Sequence, residues 1–350
     1  KENVGKTTLL TELLGKRATS GVRRKLAHST LRAKNAIAGR RREPTFGIDL
    51  HTDWRPSPAL PELRLHVWDF AGQPEYYPTH QFFMTRTALY LLCWNVMDAV
   101  HDSEAVKQQL ELWLQMIRNA TAGGEYAASV LVVGTHADLL TGKAAERTEV
   151  DRVRAWLHKH VATALEQALH VEQFEVGCGS GKVTGVAELR DAMARIASQH
   201  PEVVQQRPKS WIALQQGLAR RSHDDTIPVT TVGEFASTLA ASGITSPEEQ
   251  QLALRALHEW GFLVHYADVA HLRDTVILDP KWLVDAFAHL STAGMQHVDA
   301  TTCMISRERI ERAVWSKFTS DACSRLLELL KHFSLLRQTE LGEYLAPFLL

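Results

Sequence analysis

The sequence predicts two domains: an α/β domain over residues 1–200 and a mostly helical, winged-helix-like domain over residues 201–350. Three observations carry that prediction. Apolar runs of strand length alternate with amphipathic helical stretches through the first domain. The chain opens on KENVGKTT, a Gly-Lys-Thr turn into a helix with Leu9, Leu10, Leu13 and Leu14 at helical spacing. Past Pro201 and Pro208 the pattern changes to capped helices and two short strand-like segments.

Composition excludes more than it selects. With 350 residues, 45% of them hydrophobic, the chain can bury the core of one large or two ordinary domains. A formal net charge of -1 points to no particular partner. Cys93, Cys178, Cys303 and Cys323 show no CxxC spacing, which suits a reducing, cytoplasmic setting and excludes a disulfide scaffold or Cys-based zinc. The 17 histidines form no HExxH or similar ligand spacing, so solvated and capping roles are expected of them. No apolar run reaches membrane-spanning length, and no signal peptide is expected.

Lys1–Thr8 matches G-x-x-x-x-G-K-[ST] except for the first Gly, which falls one residue ahead of Lys1. The motif has a specific physical demand. Backbone N–H groups of Asn3, Val4 and Gly5, leading into a helix N-terminus, must wrap phosphates. Lys6 then reaches the β- and γ-phosphates, the Thr7 hydroxyl completes a Mg²⁺ shell, and Thr8 serves the α-phosphate. The strand that should precede this loop is missing from the chain. Such a strand is central in a parallel sheet, so the fragment is expected to be less stable than one that has it. Opening inside the motif without an initiator Met, the chain is expected to be a piece of a longer protein.

Residues 16–42 carry ten Lys and Arg and no Asp or Glu. A nucleic-acid or anionic-membrane patch is one reading, and a solvated helix end with a loop is the other. The absence of interleaved aromatics favours the second. Thr45, just before a predicted strand, is placed to close over a nucleotide, its hydroxyl on Mg²⁺ and its amide on the γ-phosphate. Leu63, Leu65 and Val67 alternate as a strand that ends on Asp69-Phe70-Ala71-Gly72. In that D-x-x-G, Asp69 holds a water of the metal and the Gly72 amide senses the terminal phosphate. Gln73 follows, and an aromatic stretch with Tyr76, Tyr77, Phe82 and Phe83 leads into strand 88–96.

A helix over 103–118 and a buried strand over 129–134 lead to Thr135-His136-Ala137-Asp138. Guanine-specific proteins use [NT]-K-x-D in this place, the Asp accepting from guanine N1–H and the 2-amino group. His136 departs from the Lys, though its imidazole can still pack on a base. A helix at 151–169 and a strand at 173–176 precede Gly177-Cys178-Gly179-Ser180. Cys178 and Gly179 stand where a backbone amide reads guanine O6; a plain loop is the alternative. A helix through Val186, Leu189, Met193 and Ile196 closes the domain near His200.

In the second domain, Thr231-x-x-Glu234 and Ser246-Pro247-Glu248-Glu249 read as capping boxes, with Pro at the first position of the second helix. That helix breaks at Gly261, and strands over 262–266 and 275–278 follow. Asp279-Pro280 begins another helix, and Ser306 and Ser320 are predicted N-caps. Helix, helix and a two-stranded wing could read DNA. However, the second helix begins Glu248-Glu249 and offers only Arg255 to phosphate, so protein–protein packing is the expected role and DNA is not expected.

Together, KENVGKTTLL, PTFGIDL, WDFAGQPEYYPTHQFFMTRTALYLL and GTHADL resemble the Roc domain of Roco proteins, a Ras-like P-loop GTPase. LHEWGFLVHY, LRDTVILDPKWLVDAF and LLELLKHFSLL resemble the first half of the COR domain that follows Roc in that family. The resemblance implies a GTP/GDP-binding domain over 1–200 and the N-terminal part of COR over 201–350. It implies Lys6 on the phosphates, Thr7, Thr45 and (through water) Asp69 around Mg²⁺, Gly72 on the γ-phosphate and Asp138 on the base. It also implies Gln73 orienting the attacking water, so that Gln73, Lys6 and Thr45 form the catalytic set. Glu2 departs from the Gly usual there, and a longer acidic side chain could obstruct an incoming arginine finger. Family members add leucine-rich repeats upstream and sometimes a kinase downstream, and dimerise through a second COR part absent here. The expectation is a GTP-hydrolysing switch that contacts protein partners through its nucleotide-sensing segments and COR; a nucleotide-binding scaffold with negligible hydrolysis is the alternative.

Overall fold

The computed structural model describes residues 4–15, 48–72, 77–123, 127–160, 169–179, 183–204, 206–220, 227–293, 304–340 and 342–346. Asn3, Thr45, Gln73, Tyr76, Glu2 and the basic segment 16–42 lie outside these residues.

The first domain is an α/β layer structure. Helix α1 (Lys6–Leu13) precedes an antiparallel pair, β1 (Ile48–Trp54) and β2 (Leu65–Phe70). A short helix α2 (Tyr77–His80) and a 3₁₀ turn at Gln81–Phe83 lead to β3 (Leu89–Asn95), then α3 (Val96–His101) and α4 (Ser103–Thr121). Next come β4 (Ala128–Thr135), α5 (Ala144–His160), β5 (Leu169–Glu175), α6 (Val186–Gln199) and a short α7 (Pro201–Val204). The parallel sheet runs β3-β4-β5, and helices cover both faces. Val106, Leu110 and Leu114 of α4 pack with Val153 and Leu157 of α5 on one side. Leu9 and Leu13 of α1 pack with Leu189 and Met193 of α6 on the other. Leu169 starts a strand rather than ending the predicted helix, because its β-pairing with Ala128 opens the β4–β5 ladder.

The sheet is in two pieces. β2 pairs only with β1 and β3 only with β4 among the described strands. Between them lies a cavity of about 190 Å³, bordered by Val67–Ala71 of one piece and Tyr90–Asn95 of the other. Central strand β4 is buried over nearly its whole length, whereas β3, equally apolar, buries only Trp94 fully.

The second domain begins its packing with α8 (Lys209–Arg220), followed by β6 (Val229–Thr231), α9 (Val232–Ala241), α10 (Pro247–Glu259), β7 (Val264–His265), β8 (Thr275–Ile277) and α11 (Pro280–Ala293). It ends with β9 (Met304–Ser306), α12 (Arg307–Arg309) continued by a π turn, α13 (Ser320–His332), β10 (Arg337–Gln338) and β11 (Glu343–Leu345). Thr231 and Glu234 form a complete capping box. At Ser246 only half of the predicted box forms: its hydroxyl accepts from the Glu249 amide and donates to Glu248 Oε2. Thr319, not Ser320, caps α13, since its side chain meets the Ala322 amide. The wing has three strands, in the order β6-β8-β7, because Val229–Thr231 just ahead of α9 pairs with Thr275–Ile277.

Candidate nucleotide site

Gly5 sits at φ 76 as the N-cap of α1, a conformation that favours glycine, and places the loop amides ahead of Lys6. The first turn of α1 has no acidic residue and Gly5 supplies no side-chain cap, so this positive helix end suits an anionic ligand. At its other end, Arg190 of α6 donates to the carbonyls of Glu12 and Leu13, both at 3.0 Å. That guanidinium fixes the helix that carries Lys6, Thr7 and Thr8. No sequence pattern marks it.

Asp69, near the end of β2, is 7% exposed, and the Thr7 hydroxyl donates to its Oδ2 at 3.4 Å. A buried carboxylate beside a hydroxyl, next to a phosphate-binding turn, fits the hard-oxygen preference of Mg²⁺. Gly72 follows, and its carbonyl accepts from the Tyr77 hydroxyl at 3.2 Å. His80, one turn on, is 6% exposed and belongs to the same short helix as Tyr77. The His80 ring lies against Phe70 and Trp113, with centroids 4.7 and 5.3 Å away. Burial, aided by Lys6, pushes its pKa down to about 3, and the imidazole is neutral at physiological pH.

The Thr135–Asp138 turn is locked to the phosphate loop. Thr135 is 3% exposed, and its hydroxyl lies 2.7 Å from the Val4 carbonyl, 3.1 Å from the Trp94 carbonyl and 3.0 Å from His136 Nδ1. The hydroxyl has one proton, which goes to the nearer Val4 carbonyl with the Trp94 carbonyl sharing it, and it accepts when His136 carries its proton on Nδ1. His136 adopts φ 60, and a Cβ on Gly5 would meet its ring at 3.0 Å. The departure from Lys therefore still joins the base turn to the phosphate turn. The Asp138 carboxylate stands over the 177–179 loop: a Cβ at Gly179 would fall 1.9 Å from Oδ2. Gly177 and Gly179 thus meet Asp138, a side chain larger than glycine does not fit beside the carboxylate, and Cys178 between them packs against the core.

The segment after the site enters the second domain. Phe82 is 1% exposed and belongs to the cluster containing Leu283, Phe287 and Leu330. The Tyr266 hydroxyl donates to the Phe82 carbonyl at 2.9 Å, and Gln81 Nε2 donates to the Phe333 carbonyl at 3.3 Å. Gly261, at φ 78, lets the backbone approach Trp68 of β2, whose ring would lie 2.4 Å from a Cβ there.

Family models match both halves of the chain. Residues 1–138 match "Ras of Complex, Roc, domain of DAPkinase", and residues 208–350 match "C-terminal of Roc, COR-A domain". The chain is a Roco family protein. Its Roc domain is of the Ras-like P-loop GTPase type, and a COR-A region follows. Among similar proteins, the probable serine/threonine-protein kinase pats1 of Dictyostelium discoideum is 26% identical over 279 residues, which are 78% of this chain and 8% of that protein. Leucine-rich repeat serine/threonine-protein kinase 1 of Mus musculus is 27% identical over 318 residues, 82% of this chain and 15% of that one. The Roco chain thus spans a small part of the length of these relatives. The solved structure of Methanosarcina barkeri Roco2 RocCORdC bound to GDP superposes with a TM-score of 0.70 at 20% identity, covering 99% of this chain and 93% of that one.

Proposed function

We propose that this Roc-COR chain is a GTP-binding and GTP-hydrolysing switch of intracellular, cytoplasmic signalling, whose nucleotide state is passed to COR. The observation that carries the reading is the convergence of four separate segments: Thr135 on Val4, Thr7 on Asp69, Asp138 on Gly179 and Tyr77 on Gly72. The GDP in the structurally similar Roco2 supports the same ligand class.

In this reading Asn3, Val4 and Gly5 cradle the phosphates, Lys6 neutralises the β- and γ-phosphate oxygens, and Thr8 serves the α-phosphate. Mg²⁺, when bound by Thr7, Thr45 and (through water) Asp69, supplies compensation for phosphate charge. Gly72 donates its amide to the γ-phosphate, and Gln73 orients the attacking water. Asp138 accepts from the guanine N1–H and 2-amino groups, flanked by Thr135 and His136, while Cys178 and Gly179 read O6. Tyr77 and His80 convert a shift at Gly72 into movement of α2, and Phe82 delivers that movement to the COR core.

Single-turnover GTP hydrolysis by wild type and Gln73→Leu tests the enzymatic part. Measurable wild-type turnover reduced by at least about 100-fold in the variant is expected, in line with the rate terms that transition-state positioning supplies. Equal, near-background rates would instead identify a nucleotide-binding scaffold.

A further inference from the structure

Lys281 lies in the first turn of α11, on the COR side, where Asp279 caps the helix through the Lys281 and Trp282 amides. Its ammonium crosses to the Roc domain. Nζ donates to the Ile48 carbonyl at 2.9 Å and lies 3.9 Å from Asp49 Oδ1. Ile48 and Asp49 open β1, and in the β1–β2 register Asp49 stands directly opposite Asp69. Directly opposed residues of an antiparallel pair share a face, with Cβ atoms roughly 4.5–5.5 Å apart, and like charges there repel. Asp69 is nearly buried beside Thr7, whereas the Asp49 side chain is 58% exposed at the edge. The charge opposite the phosphate-and-metal site is therefore compensated from the COR helix.

We infer that Lys281 is a positioning residue for the Roc nucleotide site, offsetting the Asp49 charge across the ladder from Asp69. The inference rests on the GTP-site reading and deepens it, since COR placement then sets the charge that bound phosphates experience. Packing ties the same helix to the same strand: Val284 of α11 is fully buried against Ile48 and Ala71. When α11 moves, Lys281 moves with it, and Asp49 is left uncompensated on the face that Asp69 presents to the nucleotide. The extra charge of a γ-phosphate makes GTP more sensitive than GDP to that change.

The test is equilibrium binding of a fluorescent GDP and a fluorescent non-hydrolysable GTP analogue in Mg²⁺, on the 350-residue chain. Wild type is compared with Lys281→Gln, Lys281→Arg, Asp49→Asn and the Lys281→Gln/Asp49→Asn pair. Gln keeps a donor for the Ile48 carbonyl and removes only the charge. Lys281→Gln is expected to weaken the GTP analogue relative to GDP by about two- to fivefold, the range of an exposed ion pair. Lys281→Arg should bind as wild type, Asp49→Asn should shift discrimination the other way, toward the GTP analogue, and the double variant should recover wild-type discrimination. A Lys281→Gln defect that is absent, equal for both nucleotides, or unrescued by Asp49→Asn overturns the inference while the site reading stands. A wild-type chain that binds neither nucleotide overturns the site reading, and this inference with it.

Discussion

In the proposed site, nucleotide choice rests on the single carboxylate of Asp138, held by its turn against Gly177 and Gly179. Asp138→Asn replaces an acceptor pair with an amide that presents a donor to guanine N1–H or its amino group. Losing a charge-assisted hydrogen bond costs about 1.5–3 kcal/mol, so guanine nucleotide affinity should fall by about 10- to 150-fold. Fluorescent-nucleotide titration checks this, and an unchanged dissociation constant would remove Asp138 from the base site. The histidines make a second prediction at this scale. Burial lowers His80 to about 3 and His258 to about 4, from an ordinary value of 6.5. Both are neutral in the folded chain near pH 5.5, where the unfolded chain binds protons. Stability they support is thus fully present above pH 6.5 and lost as pH falls toward 4 and then 3. Each contributes a slope of up to about 1.4 kcal/mol per pH unit within that window. Urea denaturation at pH 7, 6 and 5 should show falling stability, with a shallower fall in His258→Asn.

At the scale of elements, α2 and the 3₁₀ turn after it are gripped from both sides. Tyr77 holds Gly72 and His80 packs on Phe70, while Tyr266, Phe333 and Gln81 hold the turn against COR. Phe82→Ala removes a ring buried among COR side chains and should cost about 3–5 kcal/mol of stability. Chemical denaturation measures this, and a loss below about 1 kcal/mol would mean that the ring does not belong to that core. Much of the element pattern was legible in the sequence. α4, β4, α6 and the Thr231 box follow local periodicity and capping, which depend on neighbours a few residues apart. Other features depend on partners far along the chain and leave no local signal. Arg190 reaches the end of α1, Thr135 reaches Val4, Lys281 reaches Ile48, and β6 becomes a third wing strand only by pairing with β8.

Over the whole molecule, the two domains are not beads on a string. β2 presents Trp68 and Phe70 to COR and Asp69 to the phosphate turn, so one strand faces both. The alternation of a β-strand makes this possible, since neighbouring residues point to opposite faces. The aromatic run after the D-x-x-G turn reads as core filling in isolation. In the fold, Phe82 instead fills the core of the other domain, while Tyr77 stays with Gly72. In the proposed switch, a nucleotide change at Gly72 reaches COR along this path. Hydrogen exchange of the chain loaded with GDP, against the chain loaded with a non-hydrolysable GTP analogue, tests it most directly. Altered protection is expected in 77–83 together with 259–290. Identical exchange across residues 200–290 in the two states, with both nucleotides bound, would contradict it.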